Sequence, residues 1–242
     1  MKVKNKKIIV TGATGGVGEE LTKQLLYKGA KVIAVDLNQE KLEDLKNKLN
    51  NINLFIYALD ITDEHGLQKF KEDCSLNHQD IDGLINNAGI IQPFVHFKDL
   101  EMTTINKVMN VNFYGPLKLT KIFLPELLKR KEAHILNVSS MGGFFPFPGQ
   151  TIYGSSKAAL KLLTEGLYSE LLNTNVNVTI VFPGAVATDI MGNSNVESKT
   201  STSESSVKML APDKAAKLII KAMEKNKLKA YVGSDSKFMN FI

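Results

Sequence analysis

Two kinds of hydrophobic pattern alternate along the chain. Short apolar runs rich in β-branched residues predict buried strands, and they read KKIIVTG, AKVIAVD, INLFIYALD, IDGLINNAG, AHILNVSS and VNVTIVFPG. Between them, apolar residues recur at helical spacing over about 16–28, 38–50, 63–76, 103–130 and 151–174. A last helix at about 212–225 precedes a short strand, KAYVG. Strands that alternate with helices predict an α/β fold with a single doubly wound parallel sheet and helices on both faces.

No internal repeat and no linker interrupts the 242 residues, so we expect a single domain over residues 1–242. The one shift in composition is GNSNVESKTSTSESSVK at 192–208, which contains almost no apolar residue. This stretch is typical of a disordered surface loop. It is equally typical of a lid at about 190–210 that closes over a substrate, because long loops inside compact domains are often functional.

Charge and cysteine content exclude several classes of function. The net charge of +5 comes almost entirely from lysines that interleave with acidic residues, which argues against nucleic-acid binding. One cysteine and four histidines without ligand spacing predict no disulfide and no metal site.

The N-terminal apolar run is too short for a signal peptide, and no stretch of about 18 apolar residues predicts a membrane span. We therefore expect a cytoplasmic protein.

The carboxyl ends of the predicted strands carry candidate binding residues, because open α/β sheets bind ligands there. The first strand ends in TGATGGVG, which places Gly12, Gly16 and Gly18 before a helix. Glycines let the backbone approach a phosphate, and the helix N-terminus offers N–H donors to it. No Gly-Lys-Ser/Thr follows, which excludes a nucleoside-triphosphatase loop. Asp36 ends the second strand, where its carboxylate could accept hydrogen bonds from a ribose or could simply cap a turn.

Two further strand ends and one helix add polar candidates. Asp60 ends the third strand, and the fourth ends in NNAG, residues 86–89, whose asparagines could satisfy loop backbone while Ala88 and Gly89 leave room for a flat ligand. Asn112 interrupts the apolar stripe of the helix at 103–130. Pro116 has no N–H to give to the Asn112 carbonyl, which leaves that carbonyl free for a water or marks a tolerated kink.

Tyr153 and Lys157 lie four residues apart in the helix at 151–174 and therefore share one face. A nearby cation favours the phenolate and lowers the pKa of a phenol, so the pair could be a tuned proton donor and acceptor. Tyrosine and lysine are also common on helix faces by chance. The segment GGFFPFPGQ, 142–150, just before the pair could line an apolar pocket through Phe144, Phe145 and Phe147, or could be core.

Taken together, these motifs resemble the short-chain dehydrogenase/reductase family over essentially the whole chain. The matching residues are the TGxxxGxG turn at 11–18, Asp60, NNAG at 86–89, NFYG at 112–115, NVSS at 137–140, YGSSK at 153–157, and PG at 183–184 with Thr188. The resemblance implies a Rossmann-type, nucleotide-binding domain. It also implies an oxidoreductase that transfers a hydride between a nicotinamide cofactor and a secondary alcohol or ketone.

The resemblance assigns roles to four residues. Tyr153 is the expected acid–base residue, and Lys157 is expected to lower its pKa and to bind the nicotinamide ribose. Ser140, thirteen residues before Tyr153, is expected to hold the substrate oxygen, and Asn112 to support a water relay to Lys157. The expected cofactor-binding residues are Gly12, Thr14, Gly15, Gly16, Val17, Gly18, Asp36, Leu37, Asp60, Ile61, Asn87, Ala88, Gly89, Tyr153, Lys157, Pro183, Gly184, Val186 and Thr188.

The residues around Asp36 predict NAD rather than NADP, and the resemblance implies a small-molecule alcohol or carbonyl substrate. Asp36 would repel the 2′-phosphate of NADP, and no cation stands at Gly15, Leu37 or Asn38, although Lys41 lies one helical turn on. A homotetramer or a dimer is expected. A non-catalytic nucleotide-binding sensor or scaffold on the same fold is the alternative function.

Overall fold

The computed structural model describes residues 1–194, 196 and 209–240. Its centre is a seven-stranded sheet in the order β3-β2-β1-β4-β5-β6-β7, and each neighbouring pair is parallel. The strands are β1 (Lys7–Thr11), β2 (Lys31–Asp36), β3 (Leu54–Ala58), β4 (Gly83–Asn86), β5 (Ala133–Val138), β6 (Val176–Pro183) and β7 (Lys229–Val232). In register, Val10 of β1 pairs with Ala34 on one side and with Ile85 on the other. The predicted sheet is confirmed.

Nine helices of the described residues connect or follow the strands. They are α1 (Gly16–Tyr27), α2 (Gln39–Leu49), α3 (Glu64–Asp73), α4 (Met102–Met109), α5 (Gly115–Leu128), α6 (Thr151–Leu171), α7 (Ile190–Asn193), α8 (Pro212–Glu224) and α9 (Ser234–Met239). The side chains of Asn38 and Asp63 accept hydrogen bonds from the first turns of α2 and α3, which fixes where these helices begin.

The helices cover both faces of the sheet, because successive side chains of a strand point to opposite faces. Ile8 and Val10 of β1 belong to a core that α1, α2 and α8 share, whereas Ile9 belongs to a second core with α3, α5 and α6. All three side chains are fully buried. Apolar strands sandwiched in this way explain why each strand reads as a continuous hydrophobic run.

Two predicted helices end or break differently in the structure. The helix expected at 103–130 consists of α4 and α5, with a π-helical turn at Asn110–Tyr114 between them. The wide turn falls where Pro116 has no N–H to continue the normal ladder, and the Gly115 N–H donates instead to the Asn110 carbonyl. The helix expected at 63–76 ends at Asp73 and gives way to a second π-helical turn, Cys74–His78.

The lid predicted over about 190–210 lies mostly outside the described residues. Its described parts are α7, Ser194, Val196, and residues 209 and 210.

Elsewhere, Cys74 is fully buried, and burial raises the pKa of its thiol to about 12. Within the part of the chain that the structure describes, no helix combines the length and the apolar character needed to cross a membrane.

Candidate active site

A cavity of about 1030 Å³ opens at the carboxyl ends of the strands. Its volume reaches the upper end of the usual range for ligand sites, about 1,000 Å³. All but one of the predicted site residues line it, and those that do are Gly12, Thr14, Gly15, Gly16, Val17, Gly18, Asp36, Leu37, Asp60, Ile61, Asn87, Ala88, Gly89, Ser140, Tyr153, Lys157, Pro183, Gly184, Val186 and Thr188. The exception, Asn112, lies behind the lining.

The glycine turn between β1 and α1 is built for close backbone approach. Gly12 has φ +63°, a conformation that side chains rarely adopt, and a Cβ there would lie 2.8 Å from the Ala88 Cα. A Cβ on Gly18 would overlap the Gly12 carbonyl oxygen. No side chain caps α1, which begins at Gly16 on the cavity wall, so the N–H groups of its first turn remain available to an anion there. The turn therefore fits a phosphate-bearing cofactor.

Asp36 ties the end of β2 to the glycine turn. One carboxylate oxygen accepts a hydrogen bond from the Thr14 N–H at 2.9 Å, and the other accepts one from the Leu37 N–H at 2.8 Å. Asp36 therefore caps this turn, and its expected contact with a ribose stays a prediction. Because each carboxylate oxygen has a second lone pair, the side chain can still accept a hydrogen bond from a ligand in the cavity.

The residues that follow β3 and β4 form the middle of the cavity wall. Asp60 accepts hydrogen bonds from the N–H and hydroxyl of Thr62, at 2.8 and 2.7 Å. The Asn87 side chain donates to the carbonyls of Thr11 and Gly12, both at 3.1 Å. Asn87 thus satisfies loop backbone, as expected, and joins the glycine turn to the end of β4.

Asn86 does not contact loop backbone, contrary to expectation. Its side chain is buried and donates to the Asn137 side chain on β5 at 2.7 Å. Asn137 in turn donates to the Thr164 hydroxyl on α6 at 2.8 Å. These three residues form a buried polar chain that links the sheet to the helix carrying Tyr153.

Tyr153, Lys157 and Ser140 all line the cavity, and a Cβ on Gly142 would lie 3.3 Å from the Tyr153 ring and 3.6 Å from Ser140 Oγ. Lys157 is 3% exposed, and its Nζ donates to the Val138 carbonyl at 3.0 Å. Burial lowers the pKa of Lys157 to about 8. Burial also raises the pKa of the Tyr153 phenol, and the neighbouring Ser140 hydroxyl acts in the lowering direction as the smaller effect. The net direction is opposite to the one expected from the pairing with Lys157, because desolvation dominates at this depth.

Asn112 supports the site from behind. Its side chain accepts a hydrogen bond from the Ile90 N–H and donates to the Ile90 carbonyl, both at 2.9 Å, and it also donates to the Ser156 hydroxyl at 3.0 Å. A Cβ on Gly89 would lie 3.0 Å from Lys157 Nζ and 3.3 Å from Asn112 Oδ1, so these groups converge. The side chain of Asn112 is structurally satisfied, so the expected relay would depend on its backbone carbonyl, which belongs to the π-helical turn.

The aromatic segment before α6 does not line the cavity. Phe144 packs against Phe182 and Tyr231, with ring centroids 5.3 and 5.7 Å apart. Phe145 and Phe147 pack edge to face on each other, 5.4 Å apart. Of the two interpretations left open, the structure supports the core for Phe144.

Several functional contacts were not predicted. Asp235 of α9 accepts a hydrogen bond from the Ala185 N–H at 2.6 Å, and the Ser236 hydroxyl donates to the Phe182 carbonyl at 2.6 Å. The last described helix thus holds the loop after β6 against the cavity. By contrast, Lys41, noted in the sequence one helical turn beyond Asp36, does line the cavity, and its Nζ lies 3.2 Å from Asn193 Oδ1. An Asp in a short helix gives no signal in the sequence that it reaches a strand end fifty residues earlier.

The chain matches the family model described as short chain dehydrogenase over residues 6–199. It is 32% identical over 220 residues to an uncharacterised oxidoreductase from Staphylococcus saprophyticus, which covers 90% of this chain and 89% of the relative. It is also 32% identical over 179 residues to the NADP-dependent 3-hydroxy acid dehydrogenase YdfG from Escherichia coli, which covers 74% of this chain and 72% of the relative. A solved short chain dehydrogenase/reductase from Burkholderia phymatum, in complex with NAD, superposes with a TM-score of 0.89 at 21% identity, over 99% of this chain and 93% of that one. At this identity the likeness shows the fold alone.

Proposed function

Because the chain belongs to the short-chain dehydrogenase family, we propose that it is an oxidoreductase that transfers a hydride between a nicotinamide cofactor and a secondary alcohol or ketone. The observation that carries the proposal is the convergence of Ser140, Tyr153 and Lys157 in the cavity that begins at the glycine turn. The alternative, a non-catalytic sensor, is not favoured, because it gives no reason to bring a phenol, a hydroxyl and a buried lysine together.

The cofactor, when bound, supplies or accepts the hydride, and the chain's own side chains move the proton on the neighbouring oxygen. Tyr153 donates that proton in ketone reduction and accepts it in alcohol oxidation. The Ser140 hydroxyl holds the reacting oxygen and stabilises the charge that develops on it. The buried Lys157 ammonium favours the phenolate form of Tyr153 when the proton leaves, and Asn112 supports a water through its backbone carbonyl.

We also propose which residues of this cavity would hold each part of the cofactor. The N-terminus of α1 would receive the phosphates, and Lys157 the nicotinamide ribose. Val186 and Thr188 would hold the carboxamide. We propose NAD as the preferred cofactor, because the Asp36 carboxylate lies on the cavity wall at the end of β2. The NADP dependence in the name of the Escherichia coli relative makes Lys41, a cation on the same wall, the residue to test against Asp36.

Two further expectations stay proposals. The lid at 190–210 is supported by α7, from which Ile190, Gly192 and Asn193 line the cavity. The homo-oligomer is supported by exposed apolar positions on α6. The cytoplasmic location stays a prediction from the sequence.

A screen of secondary alcohols and ketones, followed by the absorbance of reduced nicotinamide, tests the proposed activity. On the best substrate, Tyr153→Phe is expected to abolish turnover and to change the Kd of the cofactor by less than about twofold, because only the titrating hydroxyl is lost. Tyr168→Phe on the same helix is the matched control and should keep wild-type turnover. Cofactor binding without turnover across the screen would favour the sensor, and turnover in Tyr153→Phe would reject the assignment of the acid–base residue.

A further inference from the structure

The first turn of α6 is capped by a side chain from another part of the chain. A helix N-terminus leaves its first N–H groups without partners inside the helix, and the side chain of the N-cap residue usually satisfies one of them. The N-cap residue of α6, Gln150, makes no such hydrogen bond. Gln92 supplies it instead: its Oε1 accepts from the Ile152 N–H at 2.8 Å and from the Tyr153 N–H at 3.0 Å.

The remaining hydrogen bonds of Gln92 hold its side-chain amide in one orientation. The Gln92 Nε2 donates to the Gly149 carbonyl at 2.9 Å, and the Gln92 carbonyl accepts from the Gln150 Nε2 at 2.8 Å. Gln92 is fully buried. A fully buried amide with acceptor and donor both used has one orientation, since rotating it would leave polar groups without partners.

The segment that carries Gln92 is itself fixed to the site. Two residues earlier, Ile90 is held on both of its backbone groups by Asn112. Between them, the Ile91 N–H donates to the Ser194 hydroxyl at 3.0 Å, just after α7. Asn112 and Ser194 therefore fix the segment that carries the Gln92 amide, and this amide binds the backbone of Tyr153 itself.

We propose that Gln92 is a positioning residue for the reaction at Tyr153: it fixes the first turn of α6 and thereby the place of the phenol relative to Ser140. This inference rests on the proposed function. Gln92 does not touch the reacting atoms in this role. It acts through the Tyr153 backbone, so its removal should impair the proton transfer and leave the cofactor end of the cavity intact.

Two substitutions separate the acceptor from the rest of the side chain. Gln92→Glu keeps an oxygen that can accept from both N–H groups, but its second carboxyl oxygen faces the Gly149 carbonyl oxygen where the amide donated to it. Gln92→Leu loses both functions at similar size. We expect kcat to fall about tenfold to a hundredfold in Gln92→Leu, since a misplacement of about 1 Å can have that effect, and to fall less in Gln92→Glu. The Kd of the cofactor should stay within about twofold of wild type in both variants.

A readout that needs no substrate completes the test. Protein labelled with ¹³C at tyrosine Cζ gives a Tyr153 resonance, assigned by its loss in Tyr153→Phe, that responds to the surroundings of the phenol, including the nearby Ser140 hydroxyl. This resonance should move in Gln92→Leu. Thr179→Val is the matched control, because it removes buried hydrogen bonds to His134 and Lys227 away from the cavity. It should lower stability and leave kcat and the resonance unchanged.

The outcomes distinguish this inference from the proposed function. If Gln92→Leu keeps wild-type kcat per folded molecule and an unmoved Tyr153 resonance, while Tyr153→Phe is inactive, Gln92 has only a structural role. If Tyr153→Phe is active, the assignment of Tyr153 as the acid–base residue fails, whereas absence of turnover across the whole screen would reject the proposed function; in either case the resonance still reports whether Gln92 positions the phenol. Should Gln92→Leu not fold, Gln92→Asn decides, because its amide is one methylene too short to reach both N–H groups and kcat should fall as for Leu.

Discussion

The burial of Lys157 in the candidate site lowers the free energy of unfolding near neutral pH. Its ammonium is buried and its pKa is lowered from 10.5 to about 8. Below pH 8, the folded state therefore holds a charge that the unfolded chain would hydrate. The shift corresponds to about 3 kcal/mol at 1.36 kcal/mol per pKa unit. Between pH 8 and 10.5 the unfolded state binds more protons than the folded state, so the stability of the wild type rises with pH in this window.

We therefore expect Lys157→Met to be more stable than wild type at pH 7. The gain should be about 2 kcal/mol, after about 1 kcal/mol is subtracted for the lost hydrogen bond to Val138. It should shrink as the pH approaches 10.5. Urea unfolding at pH 7 and pH 9.5 measures both effects. Lys161→Met, a partly exposed position one turn along α6, is the control and should show no such gain. If Lys157→Met is no more stable than wild type at pH 7, the pKa of Lys157 is not lowered by its burial as described above.

Asp36 carries the prediction on cofactor choice. A carboxylate and a phosphate about 4 Å apart repel by roughly 4 kcal/mol at an effective dielectric near 20, and solvent reduces this to about 2 kcal/mol. The wild type should therefore prefer NAD by more than about tenfold in kcat/KM. Asp36→Asn should remove most of this preference while keeping an acceptor for Thr14 or Leu37.

The ratio of kcat/KM for the two cofactors checks this prediction, with Asp36→Ala and Lys41→Met measured alongside. Asp36→Ala should weaken both cofactors, because the hydrogen bonds to the glycine turn are lost as well. A wild type that favours NADP, and that loses this preference in Lys41→Met, would assign the selection to Lys41 instead.

The sequence indicated which side chains would meet, but not what each would bind. Parallel strands bring their carboxyl ends to one edge, so the residues after β1 to β6 were expected together and do line one cavity. Hydrogen bonds depend on side-chain direction and on partners far apart in the chain. Asn86 was therefore misassigned to loop backbone. Gln92 and Asp235 were missed because their partners lie 60 and 50 residues away.

For the helices as well, the features that depend on local sequence were predicted and those that depend on long-range packing were not. The spacing of apolar residues placed α1, α2, α3, α6 and α8 within a few residues, since this spacing is local, but it predicted α4 and α5 as one helix. The π-helical turn at Asn110–Tyr114 was visible only as a possible kink at Pro116, because the width of the turn depends on packing as well as on the missing N–H. The short α7 and α9 were not predicted, since four to six residues give too little periodicity.

For the segment 190–210, we expect slower amide hydrogen exchange when NAD and a substrate are bound than in the protein alone. The reason is that α7 lines the cavity, so a filled cavity adds contacts that protect its backbone. Hydrogen exchange followed by mass spectrometry measures this, and peptides from α8, outside the cavity, serve as the internal control. Equal exchange in 190–210 with and without ligands would reject the lid.

The whole molecule presents an exposed face that suits self-association. Leu162 of α6 is 69% exposed, and Gly166, one turn on, has open space where a side chain would stand. A small residue beside an exposed leucine lets a second helix approach closely. The expected tetramer or dimer would use this face.

We expect a mass of two or four chains at micromolar concentration by light scattering, and a smaller assembly in Leu162→Glu, because the buried carboxylates would repel. Tyr27→Glu is the control: Tyr27 is 92% exposed at the end of α1, on the other face of the sheet, and its substitution should not change the mass. A wild type that is monomeric under these conditions rules out the assembly.

Cys74 gives this chain a practical property. It is the only cysteine of the 242 residues, it is fully buried, and its thiol has a pKa of about 12. Maleimide reagents attack the thiolate, so the native protein should stay unlabelled near neutral pH. Ile52 is 92% exposed and precedes β3, at the end of the sheet opposite the cavity. An Ile52→Cys variant would therefore accept one fluorophore at one position, with every native residue of the candidate active site left in place.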